Sequence, residues 1–226
     1  PIPLKEMIDG ISPESDTFGT ECHFEKGKSY LVKAPSGRGK STLLHIIYGL
    51  RNDFTGAVSF NGQNVEDFGP DEWADYRREK LSIIFQDLRL FPNLTALENI
   101  LLKSDLKNFK TESETKEMAK QLGIENLLNQ KAGTLSYGQR QRVAIIRALS
   151  QPFDFLLLDE PFGHIDNFKR ISLRRNLFLY LKKQGITVLT ASHDPSDVLP
   201  FAAHLDITAR ACHCRQKYPR PLQKSS

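Results

Sequence analysis

The chain has 226 residues, 39% hydrophobic and 26% charged, a balance that supports one or two domains around a well-buried core and excludes a disordered or collagen-like chain. Three cysteines, Cys22, Cys212 and Cys214, are too sparse and odd in number for a disulfide framework and fit a reducing compartment, so a cytoplasmic location is expected. The net charge is +4, yet Arg210, Arg215, Lys217, Arg220 and Lys224 follow Asp206 with no acidic residue among them; the body is near neutral, and no nucleic-acid partner is expected.

No run of about 18 apolar residues is present, and Lys5, Glu6 and Asp9 sit where a secretory apolar region would lie, which predicts neither a membrane span nor export. Any membrane contact is then expected through a partner. Ser29 to Val32 predicts a strand that runs into a glycine loop, and Leu43, Leu44, Ile46 and Ile47 continue it with helical spacing. Ala57 to Phe60, followed by Asn61-Gly62, predicts a strand leaving into a tight antiparallel hairpin. Leu81 to Phe85 is the next strand. From Thr95 to Leu149 the chain is dominated by helix formers, which predicts an all-helical insert with a helix beginning near Gln139. Phe153 to Leu158 is an apolar run closed by Asp159-Glu160, and Ile186 to Thr190 is a β-branched run closed by Ser192-His193; both read as buried parallel strands with polar groups at their carboxyl ends, the edge where open α/β sheets bind ligands.

Ala34-Pro-Ser-Gly-Arg-Gly-Lys-Ser-Thr42 matches the P-loop spacing G-x-x-x-x-G-K-S/T with Ala34 in place of the first glycine. Gly37 and Gly39 let successive backbone N–H groups converge on phosphate oxygens, and the helix that follows adds its positive N-terminus. Ala34, Pro35, Ser36, Gly37, Arg38, Gly39, Lys40, Ser41 and Thr42 are thus the candidate phosphate-binding set, with Lys40 reaching the β- and γ-phosphates and Ser41 a ligand of Mg²⁺. Asp159-Glu160 supplies what such a site needs next: one carboxylate for the metal's shell and one to polarise water.

Leu135-Ser-Tyr-Gly-Gln-Arg-Gln-Arg-Val-Ala-Ile-Ile-Arg-Ala-Leu149 resembles the LSGGQ signature and helix of the ATP-binding cassette (ABC) family. The family's other elements follow in order: Walker A at 34 to 42, a Q-loop glutamine at Gln86, Walker B at 155 to 160, Asp166 in a D-loop and a switch histidine at His193. The resemblance covers roughly residues 4 to 205. It implies an α/β fold, a P-loop NTPase core with a mostly parallel sheet, an antiparallel β subdomain and an inserted helical subdomain. One domain is expected over 1–206, with the helical subdomain at about 87–148 and an atypical basic tail at 207–226.

The resemblance implies ATP and Mg²⁺ as the bound species, with Glu160, His193 and Lys40 as catalytic residues and Ser41, Gln86 and Asp159 at the metal. Ser136, Gly138 and Gln139 of the signature would meet the nucleotide held by a second protomer, in a head-to-tail homodimer formed on ATP. Physically, a serine hydroxyl and exposed N–H groups at a helix start offer an anion site, while an ordinary serine N-cap is the alternative. For Asp166 the alternative is likewise a helix N-cap. The family further implies a separate membrane-spanning permease subunit and a place on the cytoplasmic face of the inner membrane. Residues 84–100 are similar to the subgroup of lipoprotein-release, macrolide-export and cell-division ATPases, and Leu88, Leu90, Phe91 and Leu94 either line a groove for a membrane subunit's coupling helix or pack the insert's own core. An ATP-gated clamp with no transported solute is the rival reading. A small-molecule kinase would leave Leu135 to Leu149 without a role.

Four departures stand out. Ala34 would be strained by about 1 kcal/mol if its φ were positive. The aromatic that the family commonly places near Ile11 to stack on adenine is missing, Phe18 being the nearest, and Tyr137 stands where the signature commonly has glycine. Beyond Ala209 the chain carries Cys212-His213-Cys214 and no strand pattern; without a second ligand pair a zinc site is not expected, and the tail is expected to be disordered or altered.

Overall fold

A computed structural model describes residues 2–3, 21–35, 37–104, 109–162, 167–193 and 202–206. Its centre is a five-stranded sheet in the order β6-β7-β8-β2-β9, formed by β2 (Ser29–Lys33), β6 (Leu81–Ile84), β7 (Phe155–Asp159), β8 (Thr187–Ser192) and β9 (Ala202–Asp206). Every pairing in it is parallel. Helix α1 (Lys40–Ile47) covers one face, where its Leu43, Leu44 and Ile47 pack with Tyr30, Val32, Ile83, Leu157, Leu189 and Leu205. The other face carries α5 (Tyr137–Leu149) and α6 (Asn167–Lys183), whose Ile145, Leu149, Leu173, Leu177 and Leu181 meet Ile84, Leu156, Leu158 and Val188.

The strands therefore alternate between two cores: Leu157 points to α1, while Leu156 and Leu158 point to α5 and α6. Burial on both faces is why Phe155 to Leu158 is an unbroken apolar run, unlike the alternating pattern of a half-exposed strand. Each fully buried leucine contributes roughly 2 kcal/mol.

Between β6 and β7 the chain forms α3 (Ala96–Ser104), α4 (Glu112–Gln121) and α5. These pack a third core of Ala96, Ile100, Ala119, Ile124, Leu135, Val143 and Ile146. Thr111 and Glu114 form a capping box at the start of α4, and Ser136 and Gln139 do the same for α5; each reciprocal pair satisfies two N–H groups that the first helical turn leaves open. The helix expected near Gln139 thus begins two residues earlier, because the Ser136 cap sets its start.

Two antiparallel ribbons flank the core. β1 (Ile2–Pro3) pairs with β3 (Phe54–Thr55), and β4 (Ser59–Phe60) with β5 (Gln63–Asn64). Asn61 and Gly62 join the second pair with φ of 51° and 84°, the left-handed pair that a two-residue hairpin requires. Phe60, Phe68, Trp73 and Tyr76 stack beneath it, with ring centroids 4.7 Å apart for Phe68–Tyr76 and 5.3 Å for Phe60–Tyr76, and this fixes α2 (Pro70–Glu79).

β9 is absent from the sequence expectations. Ala202-Ala-His-Leu-Asp206 has little β propensity of its own and becomes a strand by pairing along the whole of β2, from Ser29↔Ala202 to Lys33↔Asp206. The basic tail after residue 206 lies outside the described residues.

Candidate functional site

The parallel sheet brings the carboxyl ends of β2, β7 and β8 side by side, and the candidate site lies there. β2 ends at Lys33 and α1 begins at Lys40. Gly37 and Gly39 have φ of 77° and 92°, values that glycine adopts freely. Ala34 is buried and is not among the residues with positive φ, so the strain foreseen for it does not arise. Its carbonyl is used: the Lys40 ammonium donates to the Ala34 and Pro35 carbonyl oxygens at 2.8 and 3.0 Å. Lys40 is only 5% exposed, and its Nζ also lies 3.7 Å from Glu160 Oε1.

Glu160 sits at the centre of the cluster. Oε1 is 2.9 Å from His193 Nδ1, and the Glu160 N–H donates to the Ala191 carbonyl at 2.9 Å, tying the residue after β7 to the strand beside it. Its φ of 46° is left-handed, a conformation that is strained for a side chain of this size and persists only where the surroundings fix it.

Asp159, the last residue of β7, is 2% exposed. Burial pushes its carboxyl above the usual carboxylate range; a hydrogen bond from the Ser41 hydroxyl pulls it back, and the Glu160 charge raises it again. Oδ1 of Asp159 has no hydrogen-bond partner among the described residues. A buried, unpartnered carboxylate oxygen beside a serine hydroxyl is a donor set suited to a hard divalent cation. Ser41 and Asp159 thus fit the metal role expected of them.

The other expected residues fall on neighbouring elements. Gln86 is exposed two residues after β6 and its carbonyl accepts from the Tyr137 hydroxyl at 2.6 Å. Ser136 is exposed at the start of α5, where its hydroxyl accepts from the Gln139 N–H at 3.3 Å and its own N–H donates to Gln139 Oε1 at 2.8 Å, so it is an N-cap whatever else it does. Gly138 lies in the first turn. Arg38 and Pro35 are exposed, and Thr42 is half-buried in α1. Ser36, Asp166, Ile11 and Phe18 lie outside the described residues.

Of the apolar residues after Gln86, Leu88 is buried and Leu90 packs on the helical core, while Phe91 is 56% exposed. The segment thus packs in the main and presents one aromatic outward. Tyr137 and Arg147 were not foreseen as partners of it. The Arg147 guanidinium donates to the Leu88 and Arg89 carbonyls at 2.5 and 2.7 Å, and both of those residues have positive φ, 61° and 44°.

A nucleotide-scale P-loop, a helical insert with a capped signature helix, and Asp, Glu and His gathered at one sheet edge define the P-loop ATPase class of ABC cassettes. The family model described as ABC transporter matches residues 19–163, and the chain belongs to that family. It is 36% identical over 198 residues to the glucose import ATP-binding protein GlcV of Saccharolobus solfataricus, covering 83% of this chain and 54% of that one. Against the thiamine import ATP-binding protein ThiQ of Aliivibrio fischeri the identity is 34% over 206 residues, covering 90% and 83%. The dimeric bacterial ABC transporter cassette MJ0796 superposes with a TM-score of 0.74 at 32% identity, over 82% of this chain and 84% of that one. The chain spans little more than half the length of GlcV. The names of these three proteins do not speak to the lipoprotein-release, macrolide-export or cell-division subgroup.

Proposed function

We propose that the chain binds and hydrolyses ATP as the cassette subunit of a transport complex, dimerising head-to-tail on ATP to drive a separate membrane-spanning subunit. The observation that carries this reading is the junction of Lys40, Glu160 and His193 beside Ser41 and the buried Asp159. In this reading residues 1–206 form one cassette domain, with 87–148 its helical subdomain and 207–226 a tail outside it. None of the described helices is long and apolar enough to cross a membrane, and attachment to the cytoplasmic face of the membrane through the partner is part of the proposal.

The chemistry follows from the geometry. The backbone N–H groups of residues 37–41 and the α1 N-terminus take the phosphates, and Lys40 exchanges its two carbonyl acceptors for phosphate oxygens. Ser41, Asp159 and Gln86 would hold Mg²⁺, which supplies charge neutralisation when bound. Glu160 takes a proton from water as the water oxygen bonds to the γ-phosphorus and the bond to the β–γ bridging oxygen breaks, releasing ADP. His193, on the Glu160 carboxylate, holds that side chain and faces the γ-phosphate. Ser136, Gly138 and Gln139 meet the nucleotide of the partner protomer.

Replacing Glu160 by glutamine removes the proton acceptor and leaves the phosphate cradle, so ATPase turnover should fall at least about 100-fold while ATP affinity stays within a few-fold. Light scattering in ATP should show the variant trapped as a dimer. Hydrolysis unchanged in Glu160→Gln would sink the assignment. A clamp with no transported solute shares these outcomes, and co-purification with a multi-span membrane protein separates the two.

A further inference from the structure

The turn at residues 86–89, after β6, takes side-chain hydrogen bonds from α5. It contains Leu88 and Arg89, consecutive non-glycine residues at φ of 61° and 44°, a conformation that persists only where neighbouring structure imposes it. Its internal bonds are those of a short turn: the Leu88 N–H donates to the Phe85 carbonyl at 3.0 Å and the Arg89 N–H to the Asp87 carbonyl at 2.8 Å. The Arg89 guanidinium lies 3.8 Å over the Phe85 ring.

Both ends of α5 reach this turn. Arg147, in the last turn of α5, donates to the Leu88 and Arg89 carbonyls. Tyr137, its first residue, donates to the Gln86 carbonyl from 51 residues away at 2.6 Å, with its ring half-buried and the Arg140 guanidinium 5.7 Å from the ring centre. A glycine at 137 could make no such bond.

We propose that the Tyr137 hydroxyl is a positioning group: it ties the signature helix to the backbone of Gln86, so that the capped start of α5 and the glutamine that would face Mg²⁺ and the attacked phosphate move as one unit. Arg147 fixes the far side of the turn, and Tyr137 fixes the side nearest the chemistry. This rests on the ATPase reading for its consequence in turnover, and on geometry alone for the tie itself.

The tie is tested by Tyr137→Phe, which keeps the ring and loses only the hydroxyl, with Tyr137→Gly as the second variant. In the nucleotide-free full chain, amide hydrogen exchange at Leu88 and Arg89 should be about fivefold faster in both variants, the change expected on losing one hydrogen bond. With ATP and Mg²⁺, kcat should fall by about two- to fivefold, as the competent loop becomes less populated, while KM for ATP stays within about twofold because the phosphate cradle is untouched. Unchanged exchange in Tyr137→Phe overturns the tie, as does faster exchange in Tyr137→Gly alone, which would assign the effect to ring packing. Faster exchange with kcat unchanged overturns the positioning role. A wild-type chain without ATPase activity would instead overturn the functional reading, and exchange would still decide the tie.

Discussion

Asp159 combines near-complete burial with an unpartnered Oδ1, and it is stabilised far less than a surface carboxylate would be. Burial raises its folded pKa, so the folded chain holds this proton more tightly than the unfolded chain does. Ionisation therefore costs stability at pH above the folded value, and the penalty disappears as pH falls toward the ordinary carboxylate range. Asp159→Asn should accordingly be more stable than the wild type at pH 7 without nucleotide, by about 1 kcal/mol, or about 2–4 °C in Tm. The gap should close on acidification, and Mg²⁺ stimulation of ATP turnover should be lost in the same variant. Thermal melts at pH 7 and pH 4 decide it, and a variant melting below the wild type at pH 7 would refute the account. Such a trade of stability for function is common at charged sites. At this scale the sequence exposes Lys40, Ser41, Asp159 and Glu160, because each is marked by a local pattern: a glycine loop before a helix, or a pair of acids closing an apolar strand. It hides what depends on contacts across the chain. The left-handed backbone at Glu160 has no spacing to betray it, and the side chain at Tyr137 stands out as a departure without showing what it reaches.

Between elements, a tight approach lies where α1 leaves toward α2. Gly49, just past the end of α1, has φ of 71°, and a Cβ there would lie 2.5 Å from the Trp73 ring. Gly49→Ala therefore adds a left-handed penalty of about 1 kcal/mol to an overlap with a large, packed ring, costing about 1–3 kcal/mol more. Urea unfolding should show a loss of about 2–4 kcal/mol, and a loss under 0.5 kcal/mol would mean that Trp73 is free to move. This ring also explains why α2, which has no fully buried residue, stays in place: Trp73 and Tyr76 anchor it to the hairpin. Element identity is legible where both faces of a strand are covered, since β7 opens with Phe155-Leu-Leu-Leu158 and β6 and β8 are dominated by apolar and β-branched residues, and where Asn61-Gly62 dictates a hairpin. Boundaries are less so. The run from Phe153 begins two residues before β7 does, because Asp154 and the Phe155 N–H are engaged with Lys80: the Asp154 and Phe155 amides both donate to the Lys80 carbonyl at 3.0 Å. β9 is illegible for the opposite reason, its pairing to β2 being imposed by the sheet and not by its own residues.

For the whole molecule, the all-parallel order β6-β7-β8-β2-β9 gathers the catalytic candidates on one edge, while Ser136 stands exposed at the start of a helix in the insert. Two anion-binding features in one chain are best used on one nucleotide if two chains face each other, each giving its P-loop to one site and its signature to the other. This arrangement makes a quantitative prediction that a monomeric enzyme cannot meet. Lys40→Ala disables the P-loop of a chain and leaves its signature. Ser136→Asp keeps the α5 cap, aspartate being as good an N-cap as serine, but places a carboxylate where the partner's phosphate must sit. Each variant alone should be inactive, with folding intact by circular dichroism. Mixed in equal amounts, about half the dimers are mixed, and each mixed dimer has one intact site out of two, made from the P-loop of the Ser136→Asp chain and the signature of the Lys40→Ala chain. Steady-state ATPase of the mixture should then recover to about a quarter of the wild-type rate if the two sites act independently. Recovery well below that value, with mixed dimers demonstrated, would mean that both sites must be intact for either to turn over; no recovery without mixed dimers would remove the head-to-tail arrangement itself.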